Sequence, residues 1–239
     1  MDKTTNIKDS SSHLKLGIDD AGRGPVIGPM ILAGCLADKK IEAEFKKLEV
    51  KDSKKLTAKR REILAEEIKR KALAFEITIT HPLEITARNH VGINLNKLEA
   101  IKSAEIINKI NEKAIKGAKK IVVYIDCPSP NIPAWQGYLE SHINKKENLE
   151  IHCEHKADVN HVSCSAASIL AKTTRDAEIE KIKEKIGVDF GSGYPNDPLT
   201  CKFLAEYSEK HKNDGIFRET WQTWKDVCGK KEQKSLGEF

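Results

Sequence analysis

The sequence predicts a mixed α/β domain, one sheet flanked by helices, with a helical C-terminal extension. Three observations carry that reading. Two short apolar segments with strand character lead the chain, strand-like and helix-like segments then alternate, and helical segments finish it. At 239 residues the chain suits one large domain with a short appendage. It can bury a core without disulfides or metals as staples.

Each element has its own signal. Residues 1–13 are polar, lack the apolar stretch of a signal peptide and are expected to be disordered. Leu14, Leu16 and Ile18 alternate with polar or small residues, a strand pattern. A Gly/Pro-punctuated turn runs from Gly22 to Pro29, and Met30 to Leu36 forms a second apolar strand, close enough for an antiparallel hairpin. Thr57 is placed to cap a helix reaching about Ala72, with Ile63, Leu64, Ile68 and Leu73 on its apolar side. Phe75 to Thr80 alternates as a third strand. Asn94 to about Lys116 reads as a long helix whose core face is Leu95, Leu98, Ile101, Ile106 and Ile110. Ile121 to Ile125 is a nearly continuous apolar run ending at Asp126, the mark of a buried parallel strand. A short helix from Trp135 to Ile143 and a strand from Leu149 to Cys153 follow. The helix from Val162 to about Ile186 opens with small residues, Ser163, Ser165, Ala166, Ala167, Ser168 and Ala171, which allow close approach to a neighbour. Beyond the turn-rich stretch Gly191–Pro198 come two more helical segments and a polar tail.

Composition narrows the function classes. No apolar run nears the roughly 20 residues of a membrane span, so a cytoplasmic location is expected. Aromatics at 5% argue against a flat base-stacking platform. The six cysteines contain no CxxC pair and read as reduced thiols. His152, Cys153, His155, His161 and Cys164 are metal-ligand types, but their spacing fits none of the common zinc patterns. The net charge of +5 is local: residues 39–71 hold thirteen Lys or Arg against seven Asp or Glu. That stretch is a phosphate-tracking surface in expectation, and it predicts salt-sensitive binding to nucleic acid.

Four aspartates fall where chemistry is arranged. Asp19 and Asp20 end the first strand, Asp126 ends the buried strand, and Asp158 sits just before a helix. Carboxylates at such positions converge at one sheet edge, where mutual repulsion calls for a divalent cation; hard oxygen donors suit Mg²⁺ or Mn²⁺. Two such ions roughly 4 Å apart support phosphodiester hydrolysis. The adjoining turn Gly22-Arg23-Gly24 lets backbone approach a sugar or phosphate closely, and Arg23 offers a phosphate-matching fork.

These residues match a family. The run Gly17–Met30 resembles the signature of type 2 ribonucleases H, specifically ribonuclease HII. Asp52-Ser53-Lys54-Lys55-Leu56, Tyr124-Ile125-Asp126, and Lys156-Ala157-Asp158 followed by Ser165–Lys172 and Arg175-Asp176 are similar to its later segments. Gly191–Pro198 and Thr220-Trp221 resemble its archaeal and eukaryotic branch. The resemblance implies an α/β, RNase H-like fold with a five-stranded mixed sheet flanked by helices. It divides the chain into an N-terminal tail (1–13), a catalytic domain (14–190), a helical extension completing the substrate site (191–228) and a flexible tail (229–239). It implies a monomeric, metal-dependent endoribonuclease that cleaves RNA in RNA/DNA hybrids and the 5′ side of ribonucleotides embedded in duplex DNA, leaving 3′-hydroxyl and 5′-phosphate ends. Asp19, Asp20, Asp126 and Asp158 would hold a two-metal site of Mg²⁺ or Mn²⁺. Backbone atoms of Gly22, Arg23 and Gly24 would read the 2′-hydroxyl, Tyr194 would stack on the adjacent sugar, and Lys54 and Lys55 would contact phosphates. The chain departs from the family at Asp20, where glutamate is usual; the loss of one methylene puts metal preference in question.

Gln233, Leu236 and Phe239 fit the spacing Q-x-x-L-x-x-F, which looks like a PCNA-interacting peptide with Leu236 and Phe239 on one side of a helical turn. Two other readings stand beside the enzyme. One is a hybrid-binding module disabled by Asp20; the other is a DNA resolvase or integrase on the same fold.

Overall fold

Leu14, Leu16 and Ile18 share one face of the first strand, and the chain doubles back after it as the apolar pattern requires. In the computed structural model, which describes residues 13–51, 56–114 and 120–236, β1 (Leu14–Ala21) and β2 (Met30–Ala37) form an antiparallel hairpin with Ile18 opposite Gly34. β3 (Ala74–Thr80) adds antiparallel to β2. β4 (Ile121–Asp126) pairs parallel with β1, and β5 (Leu149–Glu154) parallel with β4. The order β3-β2-β1-β4-β5 is the expected five-stranded mixed sheet.

The helices among the described residues are α1 (Lys39–Lys47), α2 (Ala58–Lys71), α3 (Pro82–His90), α4 (Leu95–Ala114), α5 (Ile132–Glu140), α6 (Ala157–Asn160), α7 (Val162–Ile186), α8 (Pro198–His211) and α9 (Gln222–Leu236). They cover both sheet faces, which is why β2 and β4 read as apolar runs rather than as alternating strands. On one face α4 and α5 bury Ile106, Ile110, Trp135 and Leu139 against Leu16, Ile18 and Val123. On the other, α1, α2 and α7 bury Phe45, Leu64, Ile68, Ile169 and Leu170 against Ile31, Ala33 and Cys35. The small residues of α7 do what their size permits. A Cβ on Gly17 would stand 2.1 Å from the Cys164 backbone nitrogen, so glycine alone lets α7 lie directly on β1.

Two expectations need correction. The face of α2 is Leu64, Ala65 and Ile68, each buried, whereas Ile63 is 49% and Leu73 51% exposed. Ile63 lies about 100° round the helix from Leu64, and Leu73 follows the C-cap Ala72. The N-cap itself is Thr57, whose Oγ1 accepts the Arg60 N–H at 3.3 Å. α5 starts earlier than Trp135, at Ile132, because Asn131 caps it by accepting the Ala134 N–H at 3.2 Å. The short helices α1, α3 and α6 are additional to the sequence reading.

A third core joins the C-terminal helices to the first turn. Phe203, Leu204, Ile216, Phe217 and Trp224 pack with Val26, Ile27, Ile179 and Phe190. Ile27 and Phe217 form a single antiparallel bridge, and the Arg218 N–H donates to the Val26 carbonyl at 2.9 Å. Helix α9 continues to Leu236, past residue 229 where a flexible tail is expected.

Candidate active site

The parallel register pairs Ile18 of β1 with Ile125 of β4. Asp19 and Asp126 are therefore the next positions at the carboxyl ends of two adjacent parallel strands, the edge at which open α/β sheets present ligands. Asp20 follows on the opposite face, toward α4 and Glu99. Asp158 comes from α6, the turn between β5 and α7. Asp126 helps to hold that turn: its Oδ1 accepts the backbone N–H of Lys156 at 2.7 Å and of Ala157 at 3.3 Å. Lys156 adopts the left-handed conformation (φ 62°), and the Ser165 hydroxyl donates to the Asp158 carbonyl at 2.6 Å. The four aspartates line one cleft of about 470 Å³, shared with Gly22, Arg23, Lys172, Arg175 and Tyr194.

This arrangement resists holding its full negative charge. Burial, then the neighbouring Asp20, pushes the Asp19 carboxyl well above the ordinary range, against a hydrogen bond to Ser168. Burial, then Glu99, pushes Asp20 up to about 7. Four hard oxygen donors that repel one another fit a divalent cation in charge and in donor type. Among the described residues no three His, Cys, Asp or Glu side chains form a ready-made metal cluster. Asp126 is turned toward its backbone donors. The histidines and cysteine near α6 are engaged elsewhere. His161 and His152 stack on Tyr124 with ring centroids 3.6 and 5.4 Å away, and Cys164 Sγ lies 3.2 Å from the Tyr124 carbonyl.

The glycine turn is held from several sides. Arg23 lines the cleft, but part of its fork is engaged on the far side. Its Nε donates to Glu99 Oε1 at 3.0 Å and its Nη2 to Asn96 Oδ1, both on α4. The charge of Arg23 is visible in the sequence, whereas its partner Glu99, 76 residues on, is not. Glu99 is buried, and burial pushes its carboxyl up despite Arg23. Gly22 has φ 77°, and a Cβ there would meet the Arg175 side chain at 2.6 Å. Arg175 in turn donates from Nη2 to the Ser192 carbonyl at 2.7 Å and places its guanidinium 5.1 Å from the Tyr194 ring centre. A Cβ on Gly24 would lie 3.4 Å from that same ring. Tyr194 and the glycine turn thus stand side by side at the rim of the acidic cleft.

Several participants escaped the sequence reading. Arg218 is fully buried and donates from its guanidinium to the carbonyls of Gly22, Arg23 and Gly28. Its only signal is an arginine directly after the apolar pair Ile216-Phe217. Glu99 is a carboxylate on the core face of α4 beside Leu98. Arg61 lines the cleft, donating to Asp176 at 2.9 Å and to the Leu56 carbonyl at 2.8 Å. Lys54 and Lys55 lie outside the described residues, as does Phe239, while Gln233 and Leu236 fall on the last turns of α9. The Lys69–Glu66, Arg70–Glu67 and Lys71–Glu44 pairs lie within residues 39–71 and leave its basic excess as it was, whereas Arg61 pairs with Asp176, outside it.

Comparison with known proteins shows what the whole chain is similar to. The pattern of the ribonuclease HII family matches residues 16–224. Ribonuclease HII of Pyrococcus furiosus is 40% identical over 228 residues, covering 93% of this chain and 96% of its own. The crystal structure of ribonuclease H2 from Pyrococcus horikoshii OT3 superposes with a TM-score of 0.78 at 36% identity, covering 90% of this chain and 96% of that one. The structure of the PCNA:RNase HII complex from Archaeoglobus fulgidus matches with a TM-score of 0.75 at 37% identity, over 87% of this chain and 95% of that one.

Proposed function

The chain belongs to the ribonuclease HII family and is thereby a type 2 ribonuclease H, and from that premise we propose that it nicks RNA/DNA hybrids and cuts on the 5′ side of ribonucleotides embedded in duplex DNA, leaving 3′-hydroxyl and 5′-phosphate ends. One observation carries the reading. Four aspartates and a glycine turn with an aromatic neighbour open into the same cleft, which puts phosphodiester chemistry beside a backbone able to recognise a ribose.

In this reading Asp19, Asp20, Asp126 and Asp158 hold Mg²⁺ or Mn²⁺. A bound pair of such ions supplies an activated water and stabilises the leaving oxygen. The chain's own residues do the rest. The carboxylates would hold those ions at the β1–β4 edge, where the cations and not the acids would attract the scissile phosphate. The backbone of Gly22, Arg23 and Gly24 takes the 2′-hydroxyl that separates RNA from DNA, and Tyr194, braced by Arg175, stacks on the neighbouring sugar. Lys54 and Lys55 position the duplex through its phosphates. Residues 14–190 form the catalytic domain, and 191–228 complete the substrate site by bringing Tyr194 to it. The relative bound to PCNA supports a clamp contact through Gln233, Leu236 and Phe239. No helix among the described residues is long and apolar enough to cross a membrane. In this reading the enzyme works as a monomer in the cytoplasm, on replication and repair intermediates.

The test is a duplex carrying one ribonucleotide, incubated with Mg²⁺, with Mn²⁺ and with a chelator. A single metal-dependent nick 5′ to the ribonucleotide is expected. Binding without any nick would return the chain to a binding module, and equal cutting of an all-DNA duplex would favour a resolvase-like enzyme.

A further inference from the structure

Arg218 is fully buried, and its guanidinium is spent on one turn. Nη2 donates to the Gly22 carbonyl at 2.6 Å, Nη1 to that of Arg23 at 2.8 Å and Nε to that of Gly28 at 3.0 Å. Taking a guanidinium out of water is costly, and an apolar side chain of similar volume often serves stability as well or better. The geometry shows what the cationic fork does that an apolar residue cannot. Peptide units are planar, and the chain has no cis bond among its described residues. The C=O of one residue and the N–H of the next therefore point in opposite directions. Drawing the Gly22 and Arg23 carbonyls inward onto Arg218 turns the N–H groups of Arg23 and Gly24 outward. Among the described residues neither of those N–H groups has an acceptor within the protein, and Gly24 lies against the Tyr194 ring at the cleft rim.

We infer that Arg218 is a positioning residue for ribose recognition, fixing two peptide planes so that the Arg23 and Gly24 N–H groups face the 2′-oxygen of the substrate. The inference rests on the reading that the glycine turn takes the 2′-hydroxyl. It assigns Arg218 no contact with substrate: it acts through the turn, from 195 residues away in sequence.

The experiment uses the full chain as Arg218→Lys and Arg218→Gln beside wild type. Lysine keeps the charge but lacks the three-way fork. Affinity is measured with Ca²⁺ in place of Mg²⁺ for a duplex with one ribonucleotide and for its all-DNA counterpart, and folding is checked by melting. Wild type is expected to prefer the ribonucleotide duplex. Both variants are expected to lose about tenfold of that preference, the worth of a positioned hydrogen bond or two, with affinity for all-DNA duplex unchanged. General loosening of the fold would weaken both affinities together and overturn the inference, as would full preference retained in either folded variant. Failure of both variants to fold would assign Arg218 to stability alone and also overturn it. A wild type without preference would remove the glycine-turn reading itself, and the inference with it.

Discussion

Asp126 and Lys156 are joined by a 2.7 Å hydrogen bond from the Lys156 backbone N–H to the Asp126 carboxylate, so one acid of the cleft anchors the turn that delivers another, Asp158. Two properties of Asp126, its charge and its acceptor geometry, are therefore separable. Asp126→Asn keeps an oxygen for the turn and loses the charge; it should abolish nicking with little change in melting temperature. Asp126→Ala loses both. It should destabilise the protein by about 0.5–1.5 kcal/mol, the net worth of a hydrogen bond whose donor water can reach. Equal melting temperatures for the two variants would count against the anchoring role.

Asp19 is buried beside Asp20 and its carboxyl is held well above the ordinary range. Asp19→Asn should abolish cleavage while raising the melting temperature of the metal-free protein at pH 8, because the substitution removes a charge the fold resists. A fully active variant would relocate the metal site.

The same electrostatics sets a pH dependence. Asp20 is raised from 3.8 to about 7 in the fold, so the folded state binds more protons than the unfolded state between those values. Stability of the metal-free protein should therefore fall as pH rises from about 4 to about 7. Mg²⁺ competes with that repulsion and should raise the melting temperature more at pH 8 than at pH 5. Melting scans across pH, with chelator and with Mg²⁺, check both slopes.

The glycine turn separates backbone from side chain. Gly22→Ala forces a Cβ into Arg175 at a positive φ and should cost about 1–3 kcal/mol and most of the activity. Arg23→Gln, which can still bond to Glu99 and Asn96, should retain nicking within about tenfold, because the Arg23 fork faces α4. A phosphate-binding Arg23 would instead show a clear loss and a shallower salt dependence.

Removing residues 233–239 should abolish binding to PCNA in a pull-down or by calorimetry and leave cleavage of short duplexes unchanged. Persistent clamp binding would place the contact elsewhere on the chain.

How legible these features are in the sequence follows their physics. Strand alternation at Leu14, Leu16 and Ile18, the apolar run into Asp126 and the small-residue opening of α7 are local patterns, and each became the expected element. The carboxylates were legible because strand ends converge by construction. Arg218 and Glu99 were not: each is an ordinary charged residue until the fold sets it against the turn from Gly22 to Gly28, and no periodicity encodes a contact across 76 or 195 residues. The buried face of α2 follows angular position and not apolar identity, which leaves Ile63 and Leu73 exposed.

The bridge between Ile27 and Phe217, followed by Arg218, also makes the glycine turn depend on a distant part of the chain. The last strand closes the sheet at Glu154 and α7 completes the cleft floor by Ile186, yet the clasp on the glycine turn arrives only with residue 218. The segment that gathers the acids and the arginine that sets the turn are thus separable along the chain: a truncation between Ile186 and Phe217 would keep the first and lose the second.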